Sequence, residues 1–488
     1  MKLSKRFVFA IVTLLFISLQ AQPKNEDPLL DKKIAEKYGL QILPPNTEME
    51  PAPDWVLNTD MTTYGGWKGY RNVWEPVMVI RKSTNRTGGK FERKYPSAKH
   101  HLVEGTFDAT KIKGVSYIST VYYSKSAFEK VHKAGIRVIG YVHFTDIPVG
   151  AVGRPDQEYT AFEHPEIIVK DNEGRWLHTP MDGTYQFSRF LTCANSPSFW
   201  KLSLASVKKI MDMGADGIFV DNVHDRRDPC MGPVFNEMNE EYPGFRPWQH
   251  PSLEPYRLLY NGEFGKYQHD HLFPDATHDY AFDRLLQAVR ALVKSYGEDK
   301  IVVLNSGINT PFQKNGDICM WESFIYSWAW EGRGHTWEDV KKFAENNKEF
   351  TNAGRRIVAL SSWLKHRKGL KEDAFWAFTS ARLVDMIWRA YLDDTGAEML
   401  YSTHLGKPLQ PFQEKDGIVT RVFENAILVL NNREKDEVIE ITLPKDFKRN
   451  KLLDIFDGEK TVTVNNGKVN IMTPGNKARI YYKINKRQ

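Results

Sequence analysis

The stretch Gly214-Ala215-Asp216-Gly217-Ile218-Phe219-Val220-Asp221-Asn222 decides the fold of this chain. Before it, Asn195-Ser196-Pro197 starts a helix predicted over 198–213. Gly214 stops that helix. Gly217 to Val220 is then a short, uninterrupted apolar run, the pattern of a buried strand, and Asp221 closes it. A helix, a glycine stop and a buried strand ending in a carboxylate make an α/β unit.

Outward from that unit the alternation recurs from about Trp55 to about Ser402. Short β-branched runs are followed by helical periods, as repeated βα units require. Further strands are predicted at 77–80, 115–121, 136–141, 301–304, 317–320, 356–360 and 398–400, the first and last being the least marked. Further helices are predicted over 124–134 and 279–296. About eight strands result, so the expected fold class is α/β, a (β/α)8 TIM barrel over 54–405 with long insertions at 146–191 and 222–275. From about Gly406 the texture changes. Strand-like runs at 418–423, 427–430, 438–443, 452–456, 462–464, 469–471 and 478–482 follow one another, separated by turns such as Asn465-Asn466-Gly467. This predicts a small antiparallel β-sandwich over 406–488.

The chain has 488 residues, 41% hydrophobic and 26% charged, which suits a barrel plus one accessory domain. Lys2, Lys5 and Arg6 precede an apolar run from Phe7 to Leu19 and then the small Ala21, the layout of a signal peptide over 1–22. The run is short for a membrane span. Export to the periplasm or the extracellular space is expected, with no stable membrane insertion after signal removal; the alternative is an uncleaved anchor. Residues 23–53 read as a linker carrying one helix over 28–38, capped by Asp27 and followed by Gly39. The net charge of +6 falls to near +3 without Lys2, Lys5 and Arg6. With no basic stripe and no nucleic-acid-reading motif, no nucleic-acid partner is expected. Of the three cysteines, Cys193 and Cys230 flank one predicted strand and can pair only if the geometry allows, and Cys319 is the third.

Barrel enzymes place their chemistry at the C-terminal ends of the strands, so a polar residue closing an apolar run is the place to look. Asp221 is the best instance, and the alternative is an Asp that merely caps the next turn. Glu322 follows Asp317-Ile318-Cys319-Met320-Trp321 in the same sense. Trp321 and the aromatics Phe324, Tyr326, Trp328 and Trp330 offer flat faces on which a sugar ring could stack, and their apolar bulk would raise a neighbouring carboxyl pKa. The bland reading makes them core. Two carboxyls flanking a glycosidic bond are the minimum machinery for its hydrolysis.

The block Cys193-Ala194-Asn195-Ser196-Pro197, the helix after it and Gly214 to Asn222 resemble glycoside hydrolase barrels of the α-galactosidase-like and endo-polygalactosaminidase-like families. More distantly they resemble α-amylase-type barrels. The resemblance is strongest over 190–225, weaker over 300–325 and only architectural elsewhere. It implies that Asp221, closing the fourth strand, is the nucleophile, and that Glu322 in Met320-Trp321-Glu322-Ser323 is the acid/base. The C-terminal sandwich also resembles the domain that follows many such barrels.

Other polar residues follow predicted strands and are candidates to line a sugar pocket. They are Tyr141, His143 and Asp146, then Asn222 and His224, then Asn305 as a donor to a sugar hydroxyl, and Trp363 as a stacking platform. Asp146 is also a rival for a catalytic role. No cofactor and no metal is expected. The loop from Asp221 to Asp228 is rich in oxygen ligands, but it lacks the calcium-loop spacing and glycine, and Arg226 and Arg227 oppose a cation. No HExxH, GxSxG, Walker or dinucleotide motif occurs in a suitable context. The expected activity is hydrolysis of a glycosidic bond in an oligo- or polysaccharide by two carboxylates, with retention. The alternatives are a non-catalytic glycan-binding barrel and a polysaccharide lyase using a Tyr or His base.

Overall fold

The computed structural model describes residues 30–40, 50–65, 74–80, 100–107, 117–120, 125–148, 164–169, 189–223, 271–273, 278–326, 333–361, 370–390, 395–448 and 450–484. Eight parallel strands follow one another around a closed barrel. They are β1 (Met61–Gly65), β2 (Tyr117–Thr120), β3 (Arg137–His143), β4 (Gly217–Asp221), β5 (Ile301–Asn305), β6 (Ile318–Trp321), β7 (Arg356–Ser361) and β8 (Ile387–Ala390). β1 pairs with both β8 and β2, which shuts the ring. Helices α1 (Lys125–Lys133), α2 (Pro197–Asp212), α3 (His278–Lys294), α4 (Trp337–Asn346) and α5 (Leu370–Leu383) follow β2, β3, β4, β6 and β7. Between β5 and β6 stands only a 3-10 turn, Gln313–Asn315.

The deciding stretch folds as its residues dictate. The Ser196 hydroxyl accepts from the Phe199 amide and caps α2, with Pro197 in the first turn. The buried face of α2 carries Phe199, Trp200, Ser203, Val207, Ile210 and Met211, a helical spacing. Gly214 follows at φ 96°. A Cβ on Gly217 would lie 2.2 Å from the Ile301 carbonyl oxygen, so only glycine lets β4 start this close to β5.

The first and last predicted strands were misplaced. Residues 77–80 belong to an antiparallel pair outside the barrel, Trp74–Ile80 with His100–Phe107. The first barrel strand is β1, whose Met61-Thr62-Thr63-Tyr64-Gly65 offers no apolar run. Residues 398–400 lie in a 3-10 turn, Glu398–Ser402, and the eighth strand is β8, where a charged Arg389 interrupts the hydrophobic signal. The linker helix is shorter than predicted, Lys32–Tyr38, and its cap is Asp31 rather than Asp27. Gly39 ends it at φ 63°.

Strand alternation sorts the barrel side chains into two sets. Val138, Ile218, Val220, Val302, Leu304, Cys319, Ile357 and Trp388 join the layer shared with the helices. Ile139, Tyr141, Phe219, Ile301, Val303, Ile318, Met320, Val358, Leu360 and Ile387 fill the interior. Ala52, Val56, Trp55 and Leu57, from the chain just before β1, pack against that interior cluster. The Trp55 indole N–H donates to the Asp299 carbonyl, on the loop entering β5, so this segment plugs the N-terminal mouth.

After the barrel come β9 (Gln413–Lys415), β10 (Ile418–Val422), β11 (Ala426–Asn431), β12 (Glu437–Thr442), β13 (Lys451–Asp454), β14 (Thr461–Thr463), β15 (Lys468–Thr473) and β16 (Lys477–Lys483). Six form one antiparallel sheet in the order β9-β10-β11-β16-β13-β14, and β12 pairs with β15. Ile418, Val422, Ile427 and Val429 meet Ile441, Val469 and Ile471 between the two sheets. Val419, Leu428, Leu430 and Ile480 join the barrel's helix-layer core instead, and Arg421 donates to the carbonyls of Arg382 and Leu383 at the end of α5. The large sheet is therefore buried on both faces. No helix among the described residues is long and apolar enough to cross a membrane. The predicted signal peptide and Cys230 lie outside the described residues; Cys193 is buried.

Candidate active site

The same alternation that fills the barrel carries polar groups inward at the C-terminal ends of the strands. After Phe219 comes Asp221 on β4; after Val303 comes Asn305 on β5; after Met320 comes Glu322, one residue past β6; after Ile387 comes Arg389 on β8. Tyr141 reaches the same level from β3. Its hydroxyl donates to Asp221 Oδ2, and its ring stacks on Phe219 at 5.6 Å. Asp221 Oδ1 accepts from Asn305 Nδ2 at 2.5 Å and from the Asn222 amide at 3.0 Å. All three bonds are donated to Asp221.

Asn305 Nδ2 also donates to Glu322 Oε2, at 3.2 Å. Two bonds of 2.5 and 3.2 Å that share one nitrogen keep the two oxygens within about 5.7 Å, the lengths laid end to end. Burial pushes the Glu322 carboxyl above its ordinary range, and the negative charge of Asp221 adds to the effect. The Asn305 hydrogen bond and the Arg389 guanidinium oppose it without prevailing. The pair thus has one carboxyl furnished with donors and one biased to keep its proton.

Three turns share one feature. Asn222, Ser306 and Ser323 immediately follow Asp221, Asn305 and Glu322, and all three take left-handed backbones, at φ 54°, 58° and 65°. Non-glycine residues pay sterically for that conformation, and such strain gathers where side chains must be aimed.

His143, at the end of β3, pairs in the ladder with Asp221. Its Nε2 is hydrogen-bonded to Asn222 Nδ2 at 2.8 Å and to Thr145 Oγ1 at 3.2 Å. Asp146 Oδ2 lies 3.6 Å from the same nitrogen, with the Asp146 side chain 5% exposed. Asp146 therefore stands behind His143, on the short strand Asp146–Pro148 that pairs with Arg189–Leu191. Through His143 and Asn222 the structure links Asp146, expected as a rival catalytic group, to Asp221 only indirectly.

Trp321 faces away from the carboxyl pair. It is the outward residue of β6, and its ring stacks on Phe343 of α4 at 3.7 Å, with Phe324 and His335 alongside. Phe324 and Tyr326 are buried core. Strand alternation sends Trp321 to the helix layer just as it sends Glu322 inward, so Trp321, Phe324 and Tyr326 pack in that layer. Trp328, Trp330, His224 and Trp363 lie outside the described residues.

Arg389 was not anticipated. It is fully buried, its guanidinium lies 5.0 Å over the Phe219 ring, and Nη1 donates to Met320 Sδ at 3.7 Å. The available signal was a charge at an inward, period-two position inside Ile387-Trp388-Arg389-Ala390. No group of three or more His, Cys, Asp or Glu among the described residues could hold a metal ion.

No protein-family model matches the sequence, and no curated protein matches it. Solved structures do. An alpha-amylase from Anoxybacillus is 13% identical with TM-score 0.48, over 89% of this chain and 99% of that one. An acarbose-soaked debranching enzyme from Nostoc punctiforme is 11% identical with TM-score 0.47, over 89% and 100%. A GH27 β-L-arabinopyranosidase from Geobacillus stearothermophilus is 9% identical with TM-score 0.43, over 89% and 98%.

Proposed function

We propose that this chain is an exported glycoside hydrolase that cleaves a glycosidic bond in an oligo- or polysaccharide with retention of configuration. The carrying observation is the pair Asp221 and Glu322, bridged by one amide within about 5.7 Å at the C-terminal mouth of the barrel. Retaining enzymes hold their carboxyls about 5–5.5 Å apart, and inverting ones leave roughly 6.5–9.5 Å for a water. The separation supports the retaining arrangement.

Asp221 would attack the anomeric carbon while Glu322, whose hold on its proton is strengthened by burial and by Asp221, gives that proton to the leaving oxygen. In the second step Glu322 would take a proton from water, which displaces Asp221. The direction of the Glu322 shift suits an acid that must hold its proton before bond breaking. Tyr141 and Asn305 would steady Asp221, and His143 would reach it through Asn222. Export rests on the signal-like segment over 1–22.

A panel of 4-nitrophenyl α- and β-glycosides tests the reading. The expected result is release of nitrophenol by the wild type, abolished in Asp221→Ala and Glu322→Gln, with the first-formed sugar retaining its anomeric configuration by NMR. Wild-type turnover that survives both substitutions would exclude this pair. Binding of glycans without product would make the chain a lectin-like barrel, and a new C=C absorbance in the product would make it a lyase.

A further inference from the structure

We propose that Asn305 is a positioning residue whose single amide nitrogen bridges the nucleophile and the acid/base, and not a ligand for a sugar hydroxyl. The inference rests on the two-carboxyl reading above. Nδ2 has two protons, and both are spent: one on Asp221 Oδ1 at 2.5 Å and one on Glu322 Oε2 at 3.2 Å. The orientation of the amide is dictated by its neighbours. Turned over, it would set Oδ1 against Asp221 Oδ1, an acceptor that already takes the Asn222 amide proton. As placed, Oδ1 accepts from Ser306 Oγ at 3.3 Å.

The backbone of Asn305 is tied to the same two partners. Its carbonyl accepts from the Val223 amide, two residues beyond Asp221, at 2.9 Å. The next amide, Ser306, donates to the Met320 carbonyl, two residues before Glu322, at 3.2 Å. Ser306 turns left-handed at φ 58°, so the chain leaves the strand sharply and the side chain remains aimed inward. Asn305 itself is 3% exposed, which leaves little surface for substrate.

The bridge has a consequence for the reaction. In the first step the C–O bond forms at Asp221, whose negative charge is lost, while Glu322 gives its proton to the leaving oxygen and becomes negative. Charge thus passes from one acceptor of Nδ2 to the other. A donor shared between them keeps a charged partner throughout without moving, which is the preorganisation that makes fixed dipoles effective. Among the described residues, the charged and titratable groups facing Glu322 are Asp221 from β4 and Arg389 from β8, with Tyr141 from β3 behind Asp221.

The test compares wild type, Asn305→Ala and Asn305→Asp on whichever 4-nitrophenyl glycoside the wild type turns over, with kcat, KM, pH profile and unfolding temperature measured for each. Asn305→Ala is expected to lose about a hundredfold in kcat with KM within about twofold. The alkaline limb of its pH profile should move up, because the lost hydrogen bond is one that lowers the Glu322 pKa. Asn305→Asp keeps the shape but donates only when protonated, so its residual activity should be confined to the acidic side. A raised KM with unchanged kcat, or a wild-type pH profile in both variants, overturns the bridge. Loss of activity in Asp221→Ala and Glu322→Gln alongside an unaffected Asn305→Ala sinks the bridge alone; full activity in those two variants sinks the carboxyl pair.

Discussion

Strand β4 carries an aspartate at each end, and the two live by opposite rules. Asp216, just before the strand, accepts from the Val138 amide at 2.9 Å and meets His132, Lys300 and Arg137 at 2.8, 3.0 and 3.5 Å. Asp221, closing the strand, accepts from a phenol and two amide groups and sits within about 5.7 Å of a second carboxyl. The bottom of the barrel repeats the first arrangement. Asp317, just before β6, accepts from the Val302 amide at 2.8 Å and pairs with Arg290 at 2.8 Å. A carboxylate that receives a neighbouring strand's amide and several cations locks strand to strand. One that faces another carboxyl instead biases that neighbour to hold its proton, the kind of pairing that gathers at functional sites.

The comparison breaks first, and most visibly, at Asp221. Asp221→Ala is expected to lower turnover by about 10⁴-fold or more without lowering the unfolding temperature. Azide should restore part of the rate and yield a glycosyl azide of opposite configuration to the retained product. An Asp221→Ala protein that unfolds early would put Asp221 in the same class as Asp216.

Glu322→Gln comes next. Removing a general acid costs about 10²–10⁴-fold, and the loss should shrink on 2,4-dinitrophenyl glycosides, which need no protonation to leave. The folded-state pKa of Glu322 is raised, so the folded protein holds this proton more tightly than the unfolded chain. Ionising it therefore costs stability once pH rises above the ordinary value of about 4.5. Glu322→Gln should unfold at a higher temperature than wild type near pH 7, and the difference should vanish below pH 4.

Asp216→Asn should show the reverse. Burial pushes Asp216 up, but the Val138 amide, Lys300 and His132 outweigh it and leave the carboxyl below its ordinary 3.8. A lowered acid contributes stability above the unfolded value, lost as pH falls through the folded one. The variant should be less stable by about 3–5 kcal/mol at neutral pH, with near-normal kcat at low temperature. Its deficit in a denaturant titration should close below about pH 3. The smallest effect falls on Trp321→Leu, expected to cost about 1–3 kcal/mol of packing on Phe343 while leaving KM within about twofold. A tenfold rise in KM would restore the ring as a sugar platform.

Much of this was legible in the order of residues. Apolar runs at 217–221, 301–304, 317–320 and 356–360 marked four barrel strands almost to the residue, because strands buried on both faces are mostly apolar along their length. The C-terminal runs were equally plain. β1 and β8 were hidden for the same physical reason seen from the other side: one is built from threonines, and the other carries Arg389 where a core residue would stand. Asp221, Asn305 and Glu322 were found because each closes a strand. The direction of Trp321 was not legible: neighbouring residues on a strand point in opposite directions, so being next to Glu322 in sequence puts it on the other face.

By itself, then, the sequence determined the alternation of helix and strand, the sandwich that follows, and which polar groups terminate barrel strands. Those are local matters, set by hydrophobic period, caps and glycine stops. Only the closed barrel decided that the ends of β3, β4, β5, β6 and β8 meet at one mouth, that one amide spans two carboxyls, and that an arginine far along the chain tempers the acid. Distances between residues on different strands are fixed by pairing register and ring closure, and no stretch of sequence contains them.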